Sequence, residues 1–293
     1  MTRIAEIPTI LPAHDDDRTG IAIVSFEGRL LELSPEIAPI FQTDLSALRN
    51  LTFHELSHPD DLLRDEVLFE KLLEEGTGSY SMLKRYRRAR GDYIWTELDV
   101  TLMCDTRGAP SHFVSRIRPT DIRDETLDTL HDRVTHDPLT RLLNRTMILE
   151  QVATAVRRGQ RLGQGFGLIM LDLNGFKAIN DSHGHEAGDL LLARVAQRLR
   201  AALDTPDLIG RLGGDEFAVI LRGTGDEQAL RHRQRQIAAC FEQPFTPLYP
   251  GHAVDLGASI GAASYPRDGA TPSELLRHAD QAMYDCKRAG RSA

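Results

Sequence analysis

The chain is poor in lysine and in cysteine. Of its 293 residues only Lys71, Lys84, Lys177 and Lys287 are lysines, and the remaining basic character is arginine. The formal net charge is -8, which excludes a nucleic-acid binder working through bulk charge, although phosphates can still be bound where positive charge is placed locally. Three cysteines, Cys104, Cys240 and Cys286, are an odd number without metal-ligand spacing. They argue against a disulfide framework and fit thiols packed in a reducing compartment. No apolar run approaches the ~20 residues that span a bilayer. The opening M-T-R-I-A-E-I-P has no apolar core of signal-peptide length, so a cytoplasmic protein is expected. What is present is ordinary globular material, 41% hydrophobic and 27% charged, with length for roughly two domains.

The amino-terminal part reads as an arm over 1–17, with two prolines and Asp15-Asp16-Asp17. Strands are expected at Ile21–Phe26 and Leu30–Leu33, and a short helix with Ser34 as N-cap and Pro35 at its first position. His58-Pro59-Asp60-Asp61 opens a second helix, which Gly76 ends. Three strand-like runs follow over 79–90, 93–103 and 109–118, separated by Gly91-Asp92 and by Asp105 to Gly108. Two strands, a helical middle and a three-stranded meander make an antiparallel sheet with helices on one side. With H-P-D-D at 58–61 and Y-R-R-A-R-G-D-Y-I-W-T-E-L at 86–98, residues 18–120 resemble a PAS sensor domain. That resemblance implies a domain that senses a ligand, a cofactor or a partner and commonly dimerises. His54 and His58 raise a haem reading, Cys104 a flavin reading, and a domain without ligand is a third; the ligand is unknown from sequence. Residues 121–136 read as a helical linker, with Leu127, Leu130 and Val134 at a/d spacing.

The remainder centres on Ile209–Leu221, I-G-R-L-G-G-D-E-F-A-V-I-L. Two apolar runs flank Gly213-Gly214, which reads as a two-residue hairpin turn. Asp215 and Glu216 then stand at the mouth of the second strand, and strand alternation sends them to opposite faces. Adjacent acids at a sheet end suit a divalent cation held against phosphate. Upstream, Gly167–Leu173 is a buried strand with Asp172 near its end, and a long amphipathic helix runs to about Leu203. Helices over about 146–161 and 227–241, a strand over 254–263, and a last helix capped by Thr271 and Glu274 complete the reading.

Four separated blocks carry a second resemblance: D-P-L-T-R-L-L-N-R at 137–145, D-L-N-G-F-K-A-I-N-D at 172–181 with G-H-E-A-G-D at 184–189, G-G-D-E-F at 213–217, and M-Y-D-C-K-R-A-G-R at 283–291. In this order they resemble a GGDEF diguanylate cyclase domain over 137–293. The expected fold is α+β: an antiparallel PAS sheet with helices, then an α/β domain with a nucleotidyl-cyclase-like palm sheet flanked by helices. The resemblance implies condensation of two GTP into cyclic di-GMP and two pyrophosphates, in a homodimer formed through the PAS domain and the linker helix. It implies Mg²⁺ or Mn²⁺ held by Asp172, the carbonyl of Leu173 and Asp215, with Asp215 or Glu216 as base and Lys177 assisting. Asn180 and Asp189 would hold guanine, a carboxylate accepting from both N1–H and the N2 amino group. By residue type alone Asn180 reads as a helix C-cap and Asp189 as an N-cap. The amides near Gly175 and Phe176, with Lys287 and Arg291 four apart on the last helix, would take the triphosphate. Family members inhibited by their product carry R-x-x-D before the hairpin. Here Asp207 matches but Asp204 stands in place of the Arg, so inhibition by this route is expected to be weak or absent. The alternative is a silent GGDEF module that binds nucleotide or docks a partner; such modules usually break motif residues, and none is broken here.

Overall fold

The computed structural model describes residues 19–49, 51–120, 134–203, 206–249 and 252–290, and for 246–249, 252 and 290 the backbone alone. The expected arm over 1–17 and all but the end of the expected linker lie outside the described residues. The chain divides into two compact units, one built on a five-stranded sheet and the other on a four-stranded sheet.

In the first unit β1 (Gly20–Val24), β2 (Leu30–Leu33), β3 (Gly78–Arg87), β4 (Tyr93–Cys104) and β5 (Pro110–Pro119) form one antiparallel sheet in the order β2-β1-β5-β4-β3. The two amino-terminal strands therefore join the meander through β1 and β5. Alternation sends Met82, Tyr86, Leu98, Val100, Leu102, Phe113 and Ile117 into the core. Between β2 and β3 run α1 (Ile37–Phe41), α2 (Leu45–Leu48), α3 (Phe53–Leu56) and α4 (Pro59–Glu75). Gly76 ends α4 in the left-handed conformation at φ 70°, as its position suggested. The expected cap at Ser34 is not formed. Its hydroxyl accepts the Ile21 N–H at 3.0 Å, and α1 begins after Glu36 without a side-chain cap.

Asp61 and Asp65 are four apart on α4 and so share a face. Asp61 accepts the Arg85 N–H at 2.6 Å and its guanidinium at 2.7 and 3.0 Å. Asp65 accepts the Tyr80 hydroxyl at 2.6 Å and pairs with Lys84, which is 0% exposed. The Lys84 ammonium also lies 4.9 Å from the Phe53 ring centre and 4.7 Å from that of Tyr86. Burial, then the Asp65 charge, pushes the phenols of Tyr80 and Tyr86 well above their ordinary range. His58 caps α4, its Nδ1 accepting the Asp60 N–H at 3.3 Å, and the His54 ring stacks on Phe53 at 4.1 Å.

In the second unit β6 (Phe166–Asn174), β7 (Leu208–Gly213), β8 (Glu216–Arg222) and β11 (Gly257–Tyr265) form an antiparallel sheet in the order β11-β6-β8-β7. Five helices accompany it among the described residues: α5 (Arg145–Leu162), α6 (Phe176–His183), α7 (His185–Ala202), α8 (Glu227–Ala239) and α9 (Pro272–Gly290). Ile169, Leu171, Leu173, Phe217, Val219 and Leu221 point to one face and bury against α7 and α8. The opposite face lies under α5 and α9. There, a methyl at Gly210 would strike Ile148 of α5, and one at Gly261 would run into the backbone of α9 at Ala279 and Met283. Small residues thus set how closely both helices approach. The strand expected over 254–263 is two elements. Val254 ends a separate hairpin of β9 (Phe245–Tyr249) and β10 (His252–Val254), and β11 starts at Gly257. The expected capping box at Thr271 and Glu274 is formed, with each side chain meeting the other residue's backbone N–H at 3.1–3.3 Å. Among the described residues no helix is long and apolar enough to cross a membrane.

The buried Asp65–Lys84 pair yields a stability test. Removing one partner strands the other charge, so Asp65→Ala should destabilise the first unit by about 3–5 kcal/mol. Asp65→Leu with Lys84→Met should recover most of the loss. Urea unfolding followed by the fluorescence of Trp95, the chain's single tryptophan, measures both. Equal stability of Asp65→Ala and the wild type would contradict the assignment.

Candidate active site

The acidic end of the second sheet is built by register. Asp172 on β6 pairs directly with Glu216 on β8 and with Ser259 on β11. Residues directly opposite across antiparallel strands share a face, so Asp172 and Glu216 emerge side by side on the side covered by α5 and α9. The hairpin turn differs from the expected one. Gly213 pairs with Glu216, which leaves Gly214 and Asp215 as the two turn residues. Gly213 at φ 139° and Gly214 at φ 53° adopt conformations that side chains disfavour. Asp215 is therefore not governed by strand alternation, and the expected opposite-face placement of 215 and 216 does not apply. The Asp215 carbonyl accepts the Leu173 N–H at 3.2 Å, which ties the turn to the end of β6.

The neighbouring acids act on Glu216. Burial, then the charges of Asp172, Asp215 and Asp280, raises the Glu216 carboxyl above its ordinary range, with Arg145 opposing. Asp280 and Lys287 are both brought by α9. The Lys287 ammonium donates to Asp172 Oδ1 at 2.6 Å, with Lys287 31% and Asp172 13% exposed. Among the described residues no three His, Cys, Asp or Glu side chains form a ready-made metal cluster. The donor chemistry nevertheless fits a hard cation. Mg²⁺ sites commonly use one or two carboxylates, with water and substrate phosphate completing the shell. A cationic group, the Lys287 ammonium, already sits on one of these carboxylates.

Beyond β6, Gly175 at φ 77° caps α6, and Phe176 is buried in the core behind it. The first-turn amides of any helix lack intrahelical acceptors, and here they lie directly after the acidic strand end. Lys177 is exposed on this turn. Gly184 both ends α6 and begins α7, so neither Asn180 nor Asp189 is the cap their residue types suggested. Asn180 instead packs against Gly188 of α7, where a methyl would overlap its side-chain oxygen. That oxygen is buried and has no hydrogen-bond partner. A buried acceptor left unsatisfied is costly unless something else supplies the donor. Asp189, the next residue on α7, is exposed beside it.

Sequence reasoning found the D-P-L-T block but no role for it. Asp137 accepts the Thr140 N–H at 2.8 Å and its hydroxyl at 2.7 Å, and pairs with Arg211 at 3.2 Å. Burial acts to raise the Asp137 carboxyl, but Thr140 and Arg211 outweigh it and hold it low. Arg211 then donates twice to the Gly214 carbonyl, at 2.8 and 3.0 Å. Arg211 is the missed residue. It lies two before Gly213 on a strand, a position that alone carries no signal. Asp207 is 5% exposed, accepts the Arg222 N–H at 3.1 Å and pairs with Arg233 of α8. Asp204 and Arg291 lie outside the described residues.

With this geometry in view, the comparisons define the class. A model of the "diguanylate cyclase, GGDEF domain" family matches residues 134–293, and a PAS-fold model matches 30–117. The chain belongs to the GGDEF-domain family and carries a PAS fold ahead of that domain. It is 41% identical over 157 residues to the bifunctional diguanylate cyclase/cyclic di-GMP phosphodiesterase MucR of Pseudomonas aeruginosa, covering 54% of this chain and 22% of MucR. It is 37% identical over 172 residues to the diguanylate cyclase TpbB of the same species, covering 59% of this chain and 39% of TpbB. A solved, amino-terminally truncated TpbB comprising only the GGDEF domain superposes with a TM-score of 0.51 at 38% identity, over 53% of this chain and 89% of that one. The chain thus spans well under half the length of these two curated relatives.

The clamp makes a direct prediction. Arg211→Ala frees the Gly214 carbonyl and loosens the turn, so the Leu173 amide should exchange with solvent about tenfold faster, the scale of one lost charged hydrogen bond. Hydrogen exchange read residue by residue would show this, and unchanged protection at Leu173 would count against the clamp.

Proposed function

We propose that this chain is a diguanylate cyclase that joins two GTP molecules into cyclic di-GMP, releasing two pyrophosphates. Residues 18–120 act as the sensor, 121–136 as the connection and 137–293 as the catalytic domain of a cytoplasmic homodimer. The observation that carries this reading is the convergence of Asp172, Asp215 and Glu216 at one sheet end, directly ahead of the α6 amino terminus. Acidic donors beside helix amides and a lysine suit a metal-bound triphosphate.

Each site holds one GTP. Asn180, with its unpartnered buried oxygen, and Asp189 read the guanine edge, accepting from the N2 amino group and N1–H. Adenine lacks those donors and would leave the buried acceptor unpaired. Lys287 and Arg291, assisted by Lys177 and the amides after Gly175, hold the triphosphate. Asp172, the Leu173 carbonyl and Asp215 would hold Mg²⁺ or Mn²⁺. When bound, that cation neutralises charge on the reacting phosphate and lowers the pKa of the attacking hydroxyl. Glu216, with its raised proton affinity, accepts the proton of the 3′-hydroxyl. The 3′-oxygen bonds to the α-phosphorus of the partner nucleotide, the α–β bridging P–O bond breaks, and pyrophosphate leaves. A second, symmetric step closes the ring. Because each half-site carries one GTP, two domains must face each other, and the sensor acts by shifting how often they meet.

Product inhibition through the R-x-x-D route is weak. Asp204 brings the wrong sign of charge to product phosphates, and the Asp207 carboxylate is already engaged by Arg233 and the Arg222 N–H.

Mass spectrometry after incubation with GTP and Mg²⁺ tests the proposal. Wild type should yield cyclic di-GMP, Asp215→Ala none, and any inhibition by added product should survive Asp207→Ala. A linear or single-nucleotide cyclic product, or no product from a chain fused to a dimerising partner, would refute the activity. Inhibition that disappears in Asp207→Ala would refute the account of regulation.

A further inference from the structure

α9 lies directly on the sheet at Gly261, where its backbone at Ala279 and Met283 leaves no room for a methyl. From there Lys287 reaches Asp172 at 2.6 Å. In the function proposed above, these two residues serve different guests, the cation for Asp172 and the triphosphate for Lys287. Without either guest they serve each other. Asp172, Asp215 and Asp280 each lie near enough to Glu216 to act on it, with Arg145 on the opposite side of the balance. Gathered carboxylates repel unless a positive charge is placed among them. A lysine suits that role, since its ammonium is a compact charge on a flexible four-carbon stem that can be redirected while the helix stays put.

We propose that Lys287 is a built-in counter-ion, occupying the cation position on Asp172 until nucleotide arrives and then moving to the triphosphate. Metal and nucleotide consequently load together. A divalent ion alone must displace a bound ammonium, whereas nucleotide draws that ammonium away. By linkage, the factor by which nucleotide tightens the metal equals the factor by which metal tightens the nucleotide. This inference rests on the reading of Asp172 as a metal ligand.

The test is Mn²⁺ binding to the full chain, followed by the electron paramagnetic resonance of free Mn²⁺. It is run with and without a non-hydrolysable GTP analogue, correcting for the analogue's own Mn²⁺ binding. Without nucleotide, Lys287→Met should bind Mn²⁺ about tenfold more tightly than wild type, the scale of one half-buried charged hydrogen bond. Lys287→Arg, which keeps the charge, should not, and adding Asp172→Asn to Lys287→Met should abolish the gain. The analogue should tighten Mn²⁺ far more in wild type than in Lys287→Met. If Lys287→Met binds Mn²⁺ no more tightly than wild type while Asp172→Asn still removes nucleotide-dependent binding, the counter-ion role is wrong and the metal site stands. If Asp172→Asn leaves nucleotide-dependent Mn²⁺ binding intact, the metal site itself is wrong, and the counter-ion role with it.

Discussion

Mutual repulsion among acids at one end of a sheet is the constraint around which the second unit is arranged. Asp172 and Glu216 share a cross-strand rung, Asp215 sits in the adjoining turn and Asp280 approaches from α9. Left in water, such groups would separate. Here backbone hydrogen bonding sets the rung, the Arg211 fork fixes the turn through the Gly214 carbonyl, and Lys287 and Arg145 supply the offsetting charge. The cost of gathering like charge is carried by the apolar faces beneath. Leu171, Leu173, Phe217 and Val219 are each 1% exposed or less, and a core packed that tightly does not yield to a few unfavourable charges.

Close packing also decides which groups reach the site. Gly210 and Gly261 allow α5 and α9 to lie directly on the strands, and Gly188 lets α7 meet Asn180. A side chain at any of the three would displace a helix that carries a polar group of the site. The same economy appears in the first unit, where α4 is tied to β3 through Asp61–Arg85 and Asp65–Lys84 and not by apolar contact alone. Buried pairs of this kind add little net stability over apolar packing, but they penalise any other register of helix on strand.

Much of this was legible in the sequence. Motif blocks identified both domains, glycine and capping signals placed Gly76 and Thr271, and strand periodicity found most strands. What escaped depends on contacts distant along the chain. Two acids 44 positions apart become neighbours only once β6 and β8 adopt their register, and no local pattern encodes that register. The turn was misplaced by one residue because two consecutive glycines satisfy either frame, and pairing of Gly213 with Glu216 decides it. Ser34 was read as a cap because its residue type suits one, yet a strand N–H at Ile21 competed successfully for the hydroxyl. Asn180 and Asp189 were mistaken for possible caps because Gly184, which closes one helix and opens the next, serves both ends at once. Nothing local marked Lys84 as buried, since burial of a charge is visible only with its partners assembled.

The coupling of these carboxylates at one site can be measured. Its most direct measurement is the titration of the Glu216 carboxyl by carbon-detected NMR, in the wild-type chain and in Asp172→Asn, without metal. Glu216 should titrate above the ordinary glutamate range, and removing the Asp172 charge should move it downward. An ordinary value that does not respond to Asp172→Asn would contradict the coupling.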